Sequence, residues 1–292
     1  MRGLGHRVKV IVDYAGESAD LMIALHAWRS ASAIRDFEQR YPDRPLVVVL
    51  TGTDAYRFIH SHRQETEGSL TRADRIVGLH TLIGDAIPRR YRHKLRVIYQ
   101  SARPLAGRQT PKRFFRVCMA GHLREEKDPL RPALAARNLP LHSRIRIDAY
   151  GKAHTPQWAA LAAAEAVHNP RYHWHGEIGH AQLRQVYRRS HLLVLSSRME
   201  GGANVVSEAV MAGLPVVASA IPGSIGLLGS DYPGYYPVEE TQALRELLLH
   251  AESDAAFYAR LQEACEHRRY LFSEQAERRG WSDLLAELTT GK

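Results

Sequence analysis

The chain has 292 residues, 45% hydrophobic and 24% charged, the composition of an ordinary globular protein with length enough for two domains. Its 40 Lys and Arg outnumber 31 Asp and Glu, a formal net charge of +9 that points either to anionic partners or to general solvation with an arginine bias. Two cysteines, Cys118 and Cys265, far apart and without metal-ligand spacing, speak against a disulfide framework, and no apolar run reaches the length of a membrane span.

The N-terminus, MRGLGHRVKV, lacks the apolar centre of a signal peptide. Together with the cysteine usage, this gives the expectation of a reducing, cytoplasmic location.

Short apolar runs alternate with longer amphipathic stretches, the pattern of βαβ units and parallel sheets. Strands are predicted at Arg7–Val12, Leu21–Leu25, Leu46–Leu50, Arg75–Leu79, Arg96–Tyr99, Phe114–Ala120, Arg144–Tyr150, Tyr172–His175, His191–Ser196 and Pro215–Ser219. Helices are predicted between them, among others at Ser30–Arg40, Pro156–Ala166, Ala181–Arg189, Val205–Ala212 and Glu240–Leu249. Gln100–Lys112, with Pro104, Gly107 and Pro111, reads as a linker. The expected division is therefore residues 1–105, 106–267, and a final helical segment 268–292 that could fold back onto the first domain. The chain opens on RGLGHRV, which reads as the end of a helix entering a second strand, so a first strand and its loop are expected to be missing.

Ligands of open parallel sheets bind beyond the carboxyl ends of the strands. There the sequence sets His26 and Arg29, then Thr51-Gly52-Thr53-Asp54, then Gly121-His122-Leu123-Arg124 with Lys127, then Gly176-Glu177, then Glu200-Gly201-Gly202. Gly201 and Gly202, without a Cβ, let a ligand approach their backbone N–H groups, which are expected to open the helix that carries Glu208, and a helix start favours phosphate. Glu208 follows Glu200 with seven residues between them and is suited to accept hydrogen bonds from a vicinal diol such as a ribose. Glu200 could serve a second sugar, and Lys127 and Arg124 could neutralise phosphates. Together these residues describe a nucleotide-sugar site, although either glutamate alone would read as a solvated charge.

At EGGANVVSE, continued by AVMAGLPVVAS, the chain resembles the E-x7-E signature of GT-B glycosyltransferases of the family 4, retaining kind. AGHLREEKDPL stands where that family has a G-R-L-x-x-x-K phosphate-binding element. The resemblance implies an α/β fold of two Rossmann-like, doubly wound domains facing across a cleft. ALHAWRSASAI, LTGTDAY, GHLREEKDP and GSIGLLGSDYPGYY resemble a narrower branch, the selenosugar synthases of selenoneine biosynthesis. That branch is taken to join selenophosphate to the sugar of a UDP-sugar through a carbon–selenium bond at C1.

Carried over, the resemblance implies that Glu208 holds the ribose, and that Glu200 with Gly201, Gly202, Ala203 and Asn204 holds sugar and pyrophosphate. Lys127 with Arg124 would stabilise departing UDP, Gly176 and Ile178 would cradle uracil, and His26 would lie by the donor sugar. His122 stands where the family commonly has Arg, and Arg124, two residues on, is expected to act in its place. On the acceptor side, Arg29 is expected to meet the selenophosphate. Thr53 is expected on the same side, and Asp54 is expected to bind sugar hydroxyls or to orient His26 or Arg29.

No Asp-x-Asp occurs in the chain, so no metal or other cofactor is expected. His173 and His175 share a strand face and could suggest a metal, but no third ligand is in view. Arg89–Arg96 could steer anions, touch lipid headgroups, or be a solvated basic turn. The expected partners are UDP-sugar and selenophosphate, with pathway enzymes possible; nucleic acid lacks the aromatic-laced basic stripe it would need. Two rival readings are a transferase with a hydroxyl acceptor and a catalytically silent nucleotide-sugar binding module.

Overall fold

The computed structural model describes residues 1–290. The chain forms two compact units, one of Met1–Ser101, Glu200–Gly202 and the stretch from Ser273, the other of Ala102–Met199 and Ala203–Phe272.

The first unit carries a four-stranded parallel sheet in the order β1 (Met22–Leu25), β2 (Leu46–Val49), β3 (Arg75–Gly78), β4 (Leu95–Val97). The run LVVV of β2 is buried at every position, as a strand covered on both faces must be. One face packs with helix Ala31–Arg40 through Ile34 and Phe37. Against the other face lie Leu284 and Leu288 of the C-terminal helix, meeting Val47, Val49, Val77 and Ile98. Burying a leucine of this kind stabilises by about 1.5–3 kcal/mol. The same helix presents Glu287 to Arg75 (2.8 Å) and Arg96 (2.8 Å).

The predicted strand Arg7–Val12 does not form. The segment has no ladder partner, and Val10 and Val12 are 81% and 97% exposed. Its β-branched residues fit a strand, but that preference alone cannot supply the hydrogen bonds of a neighbour.

The second unit holds a six-stranded parallel sheet in the order β10-β9-β8-β5-β6-β7. These are β5 (Phe115–Ala120), β6 (Ile145–Tyr150), β7 (Tyr172–Trp174), β8 (Leu192–Leu195), β9 (Val216–Ser219) and β10 (Tyr235–Tyr236). The two-residue edge strand β10 was not expected.

Residues 100–112 contain no regular element, as predicted, but Ala102 onward belongs to the second unit and is strapped to it. Leu105 N–H donates to Met211 O and Gln109 N–H to Arg188 O, while Arg108 donates to Gly213 O (2.8 Å) and Ser190 O (2.7 Å). No helix among the described residues is long and apolar enough to cross a membrane.

Candidate functional site

In the second unit the chain leaves β5 for β6 and β7 on one side, then returns to β8 on the other. The loops after β5 and β8 therefore flank the topological switch point, where open parallel sheets leave a crevice at the carboxyl edge.

The loop after β5 is fixed from two directions. Leu123 N–H donates to Lys152 O (2.9 Å), and Leu123 O accepts from His154 N–H (3.0 Å), which stitches it to the loop after β6. A single 3-10 turn, Glu125–Lys127, then ends at Asp128 in the left-handed region, φ 43°. The Ser196 hydroxyl, at the end of β8, donates to the carbonyl oxygens of Lys127 (3.0 Å) and Asp128 (2.9 Å). The two strands of the switch point thus hold one loop between them.

On that loop Lys127 is half-buried, its stem within 4.0 Å of the space a Cβ on Gly121 would fill. Arg124 Nε is buried without a hydrogen-bond acceptor, 3.9 Å from Glu126 Oε2. A buried donor lacking an acceptor is a place where an anion's oxygen would be welcome. His122 is exposed and stacks loosely on His154, ring centroids 6.3 Å apart.

Glu208 rides on helix Asn204–Met211. Its Oε2 accepts from the buried Tyr187 hydroxyl at 2.8 Å, and its Oε1 lies 3.2 Å from His180 Nε2. Both partners belong to helix His180–Arg189, two turns apart on one side. Neither was picked out from the sequence, although a His and a Tyr seven residues apart on an amphipathic helix is a readable spacing. Gly176 follows β7 at φ 70°, and its carbonyl accepts from Gly151 N–H at 2.7 Å; Ile178 is half-buried just before the helix. Asn204 is exposed at the helix start, and Ala203 is buried before it.

The expectation that Gly201 and Gly202 open this helix is not met, because the helix starts at Asn204. Their lack of Cβ has another cause. A Cβ on Gly201 would lie 2.2 Å from Gly52 N, and one on Gly202 would lie 2.5 Å from Leu79 Cβ. Glu200–Gly202 accordingly count with the first unit, where Glu200 is buried.

In that unit β1 ends at His26, whose φ of 75° turns the chain sharply. Such a backbone is costly for a residue with a Cβ and is held here by its neighbours. His26 N–H donates to Val49 O, and its Nδ1 accepts from Arg29 N–H at 3.2 Å. With Nδ1 accepting, the neutral ring carries its proton on Nε2, which donates to Thr53 Oγ1 at 3.0 Å. Burial pulls the His26 pKa below the usual value, Asp54 opposes this, and Arg29 adds to it. Both ring nitrogens are therefore engaged.

Asp54 is fully buried. Its Oδ1 accepts from the N–H groups of Thr51 (2.9 Å), Gly52 (2.9 Å) and Ala55 (3.1 Å), and its Oδ2 from that of Ala27 (2.9 Å). Fully buried beneath four backbone N–H groups, this carboxylate is not open to a sugar, which corrects that part of the expectation. It knits the loops after β1 and β2 together, and so shapes the seat of His26 and Thr53. Arg29 is exposed. The chain from Asp54 to Phe58 makes a π-helical turn, and Trp28 stacks on Phe58 with centroids 4.2 Å apart. Such wide turns are frequent at functional sites.

The histidine pair His173, on β7, and His175, just after it, is not arranged for a metal. His175 Nε2 lies 2.9 Å from Asp148 Oδ1, and Arg116 and Arg146 face the same carboxylate at 3.3 and 3.6 Å. No group of three or more His, Cys, Asp or Glu that could hold a metal occurs among the described residues.

The family model described as Glycosyl transferases group 1 matches residues 106–268. No curated protein matches the sequence. Among solved structures, HepE of Anabaena, in complex with UDP and glucose, is similar over 92% of this chain and 78% of that one, with TM-score 0.76 and 16% identity. Sucrose-phosphate synthase from Thermosynechococcus elongatus is similar over 94% and 74%, with TM-score 0.77 and 18% identity. The lipopolysaccharide outer core galactosyltransferase WaaB, in its apo form, is similar over 92% and 75%, with TM-score 0.62 and 13% identity. At such identities the likeness shows the fold: two Rossmann-like α/β units with parallel sheets, as in GT-B glycosyltransferases.

Proposed function

The chain belongs to the glycosyl transferases group 1 family, and from that premise we propose that it transfers a sugar from a UDP-sugar to selenophosphate. A selenium lone pair attacks the anomeric carbon as the bond to the UDP oxygen breaks. Water then cleaves the selenium–phosphorus bond, leaving a 1-selenosugar and phosphate, with UDP released. The sugar is GlcNAc or glucose. HepE, a structural relative, has been solved with UDP and glucose, which supports UDP as the carrier.

The observation that carries the reading is the loop Gly121–Asp128, held between β5 and β8 at the switch point with Lys127 and Arg124 on it. As UDP departs, negative charge grows on its phosphates, and fixed cations aimed at that charge are usually the largest catalytic contribution. Arg124 Nε, a buried donor without an acceptor, would find one in a phosphate oxygen. In this reading the two cations replace a divalent ion, and the lack of an Asp-x-Asp agrees with that. Glu208 accepts from the ribose hydroxyls, Glu200 from the donor sugar, and Gly176 and Ile178 lie against the uracil. Ala203 and Asn204 border the pyrophosphate, with His122 at the rim.

The acceptor reading is supported by the selenosugar-synthase-like stretches, and it agrees with the way His26 and Asp54 are engaged. An alcohol needs a general base to become a nucleophile. His26 has both nitrogens engaged, and Asp54 is fully buried under four backbone N–H groups, so in this reading neither serves as one. Selenophosphate is already anionic and needs none. Thr53, accepting the His26 proton, keeps its own hydroxyl proton for a ligand, and the exposed Arg29 supplies charge for the incoming phosphate. His26 thus acts through Thr53.

The test is to incubate the protein with UDP-GlcNAc or UDP-glucose and selenophosphate, or with simple alcohols, and follow products by mass spectrometry. UDP and selenosugar formed only with selenophosphate support the reading. UDP release with alcohols alone would make it a hydroxyl transferase. UDP binding without any release would make it a silent binding module.

A further inference from the structure

We propose that Tyr187, seconded by His180, is a positioning residue that sets the Glu208 carboxylate to accept both hydroxyls of a ribose, so that the protein selects ribonucleotide over deoxyribonucleotide donors. This rests on the reading of Glu208 as the ribose acceptor.

An ionised carboxylate has about four lone-pair directions, two on each oxygen. In Glu208 one direction on each oxygen is already used, by the Tyr187 hydroxyl at 2.8 Å and the His180 ring at 3.2 Å. One direction on each oxygen is left, and a vicinal diol offers two O–H donors. The terminal torsion of a glutamate is otherwise broad and easily turned. Two donors from one rigid helix remove that freedom.

The two partners differ in kind. Tyr187 is buried, so its ring is fixed by packing, and burial pushes its phenol pKa far up, with the Glu208 charge adding to this. It therefore stays a donor at every pH at which the protein is folded. His180 is exposed and stands at the first position of the helix, with its Nε2 3.2 Å from Glu208 Oε1. Glu208 itself is nearly covered, its side chain 12% exposed, so a wrong rotamer would leave an oxygen without water or donor.

The experiment is calorimetric titration of UDP and of 2′-deoxy-UDP into the native protein and into Tyr187→Phe, His180→Gln and Glu208→Gln, with thermal melting of each. The native protein is expected to prefer UDP by roughly tenfold, the worth of one hydrogen bond to a charged group. Tyr187→Phe should weaken UDP about fivefold and leave 2′-deoxy-UDP almost unchanged, which closes most of that gap; a purely structural tyrosine would weaken both ligands alike. A native-sized gap in Tyr187→Phe overturns the proposal. If Tyr187→Phe melts far below the native protein, the exposed His180→Gln decides in its place, with a partial closing of the gap expected and an unchanged gap counting against. A native-sized gap in Glu208→Gln would overturn the ribose assignment itself, and is thereby distinguished from failure of the positioning role alone.

Discussion

Gly52 and Gly201 occupy one space: a Cβ on Gly52 would lie 2.5 Å from Gly201 N, and a Cβ on Gly201 would lie 2.2 Å from Gly52 N. Both obstacles are backbone, which cannot turn aside as a side chain can. Gly52 also sits at φ 115°, a conformation that suits only glycine. Gly201→Ala is therefore expected to destabilise the protein by about 2 kcal/mol or more, seen as a lowered midpoint in urea unfolding. A midpoint equal to that of the native protein would mean the two segments do not meet.

Lys127 is expected to matter for turnover more than for folding. Lys127→Ala should lower kcat roughly a hundredfold, in the range found when one preorganised donor is removed from a developing anion. Its melting temperature should stay within a few degrees of native, since alanine keeps the main-chain carbonyl to which Ser196 donates. UDP release assayed with saturating UDP-sugar checks this, and an unchanged rate removes Lys127 from the leaving-group role.

Two histidines, the buried His80 and the half-buried His191, give the protein an acid limit. Burial lowers the pKa of His80 to about 4; burial, with Arg108, Arg144 and Arg116, lowers that of His191 also to about 4. The unfolded chain binds a proton on each near the ordinary value of about 6.5, and the folded protein does not. Stability is thus at its full value above that range and falls as pH drops toward 4, by about tenfold in the unfolding constant per pH unit for each histidine. Urea unfolding from pH 7 to pH 4.5 should show this slope, and His191→Gln should flatten it. A slope unaltered by that change would show the His191 ring to be protonated in the fold.

Glu287 acts in a lower window and with the opposite preference for its charged form. Hydrogen bonds from Arg96, then from Arg75, hold its pKa at about 2, below the ordinary carboxylate value. The stability it supplies is present above about pH 4.5 and is lost as pH falls through 2. The pair is solvent-screened, so Glu287→Gln is expected to cost about 1 kcal/mol at pH 7. Leu284→Ala, which leaves a cavity between the C-terminal helix and the sheet, should cost about 2–5 kcal/mol. If the glutamine change proves the costlier of the two, the helix is held by charge and not by its apolar face.

Much of the fold was readable because buried parallel strands advertise themselves. LVVV, FRVCMA and LLVL have no alternation to confuse with a surface strand, and each lies within a residue or two of its predicted place. VKVIV at the N-terminus has the same composition and forms no strand, because pairing depends on a neighbour that composition does not reveal. Tyr235–Tyr236 is too short to leave a periodic signal. At the site, residues that follow strands were legible from position alone. Their neighbours were not: nothing local says that Asp54 turns inward onto four amides, or that Gly201 is small for the sake of Thr51 and Gly52. The spacing of His180 and Tyr187 is readable, but their partner is not, since Glu208 lies 21 residues beyond Tyr187 and on another helix.

The central claim is that UDP docks at the carboxyl edge of the six-stranded sheet, held by Glu208 and the cations of the loop after β5 without a divalent ion. Calorimetric titration of UDP in the presence of EDTA, on the native protein and on Glu208→Ala, tests it most directly. The account predicts micromolar binding that EDTA leaves intact and that the alanine variant, melting as the native protein does, weakens by about tenfold or more. Equal affinity in the two proteins, or binding that EDTA abolishes, would contradict it.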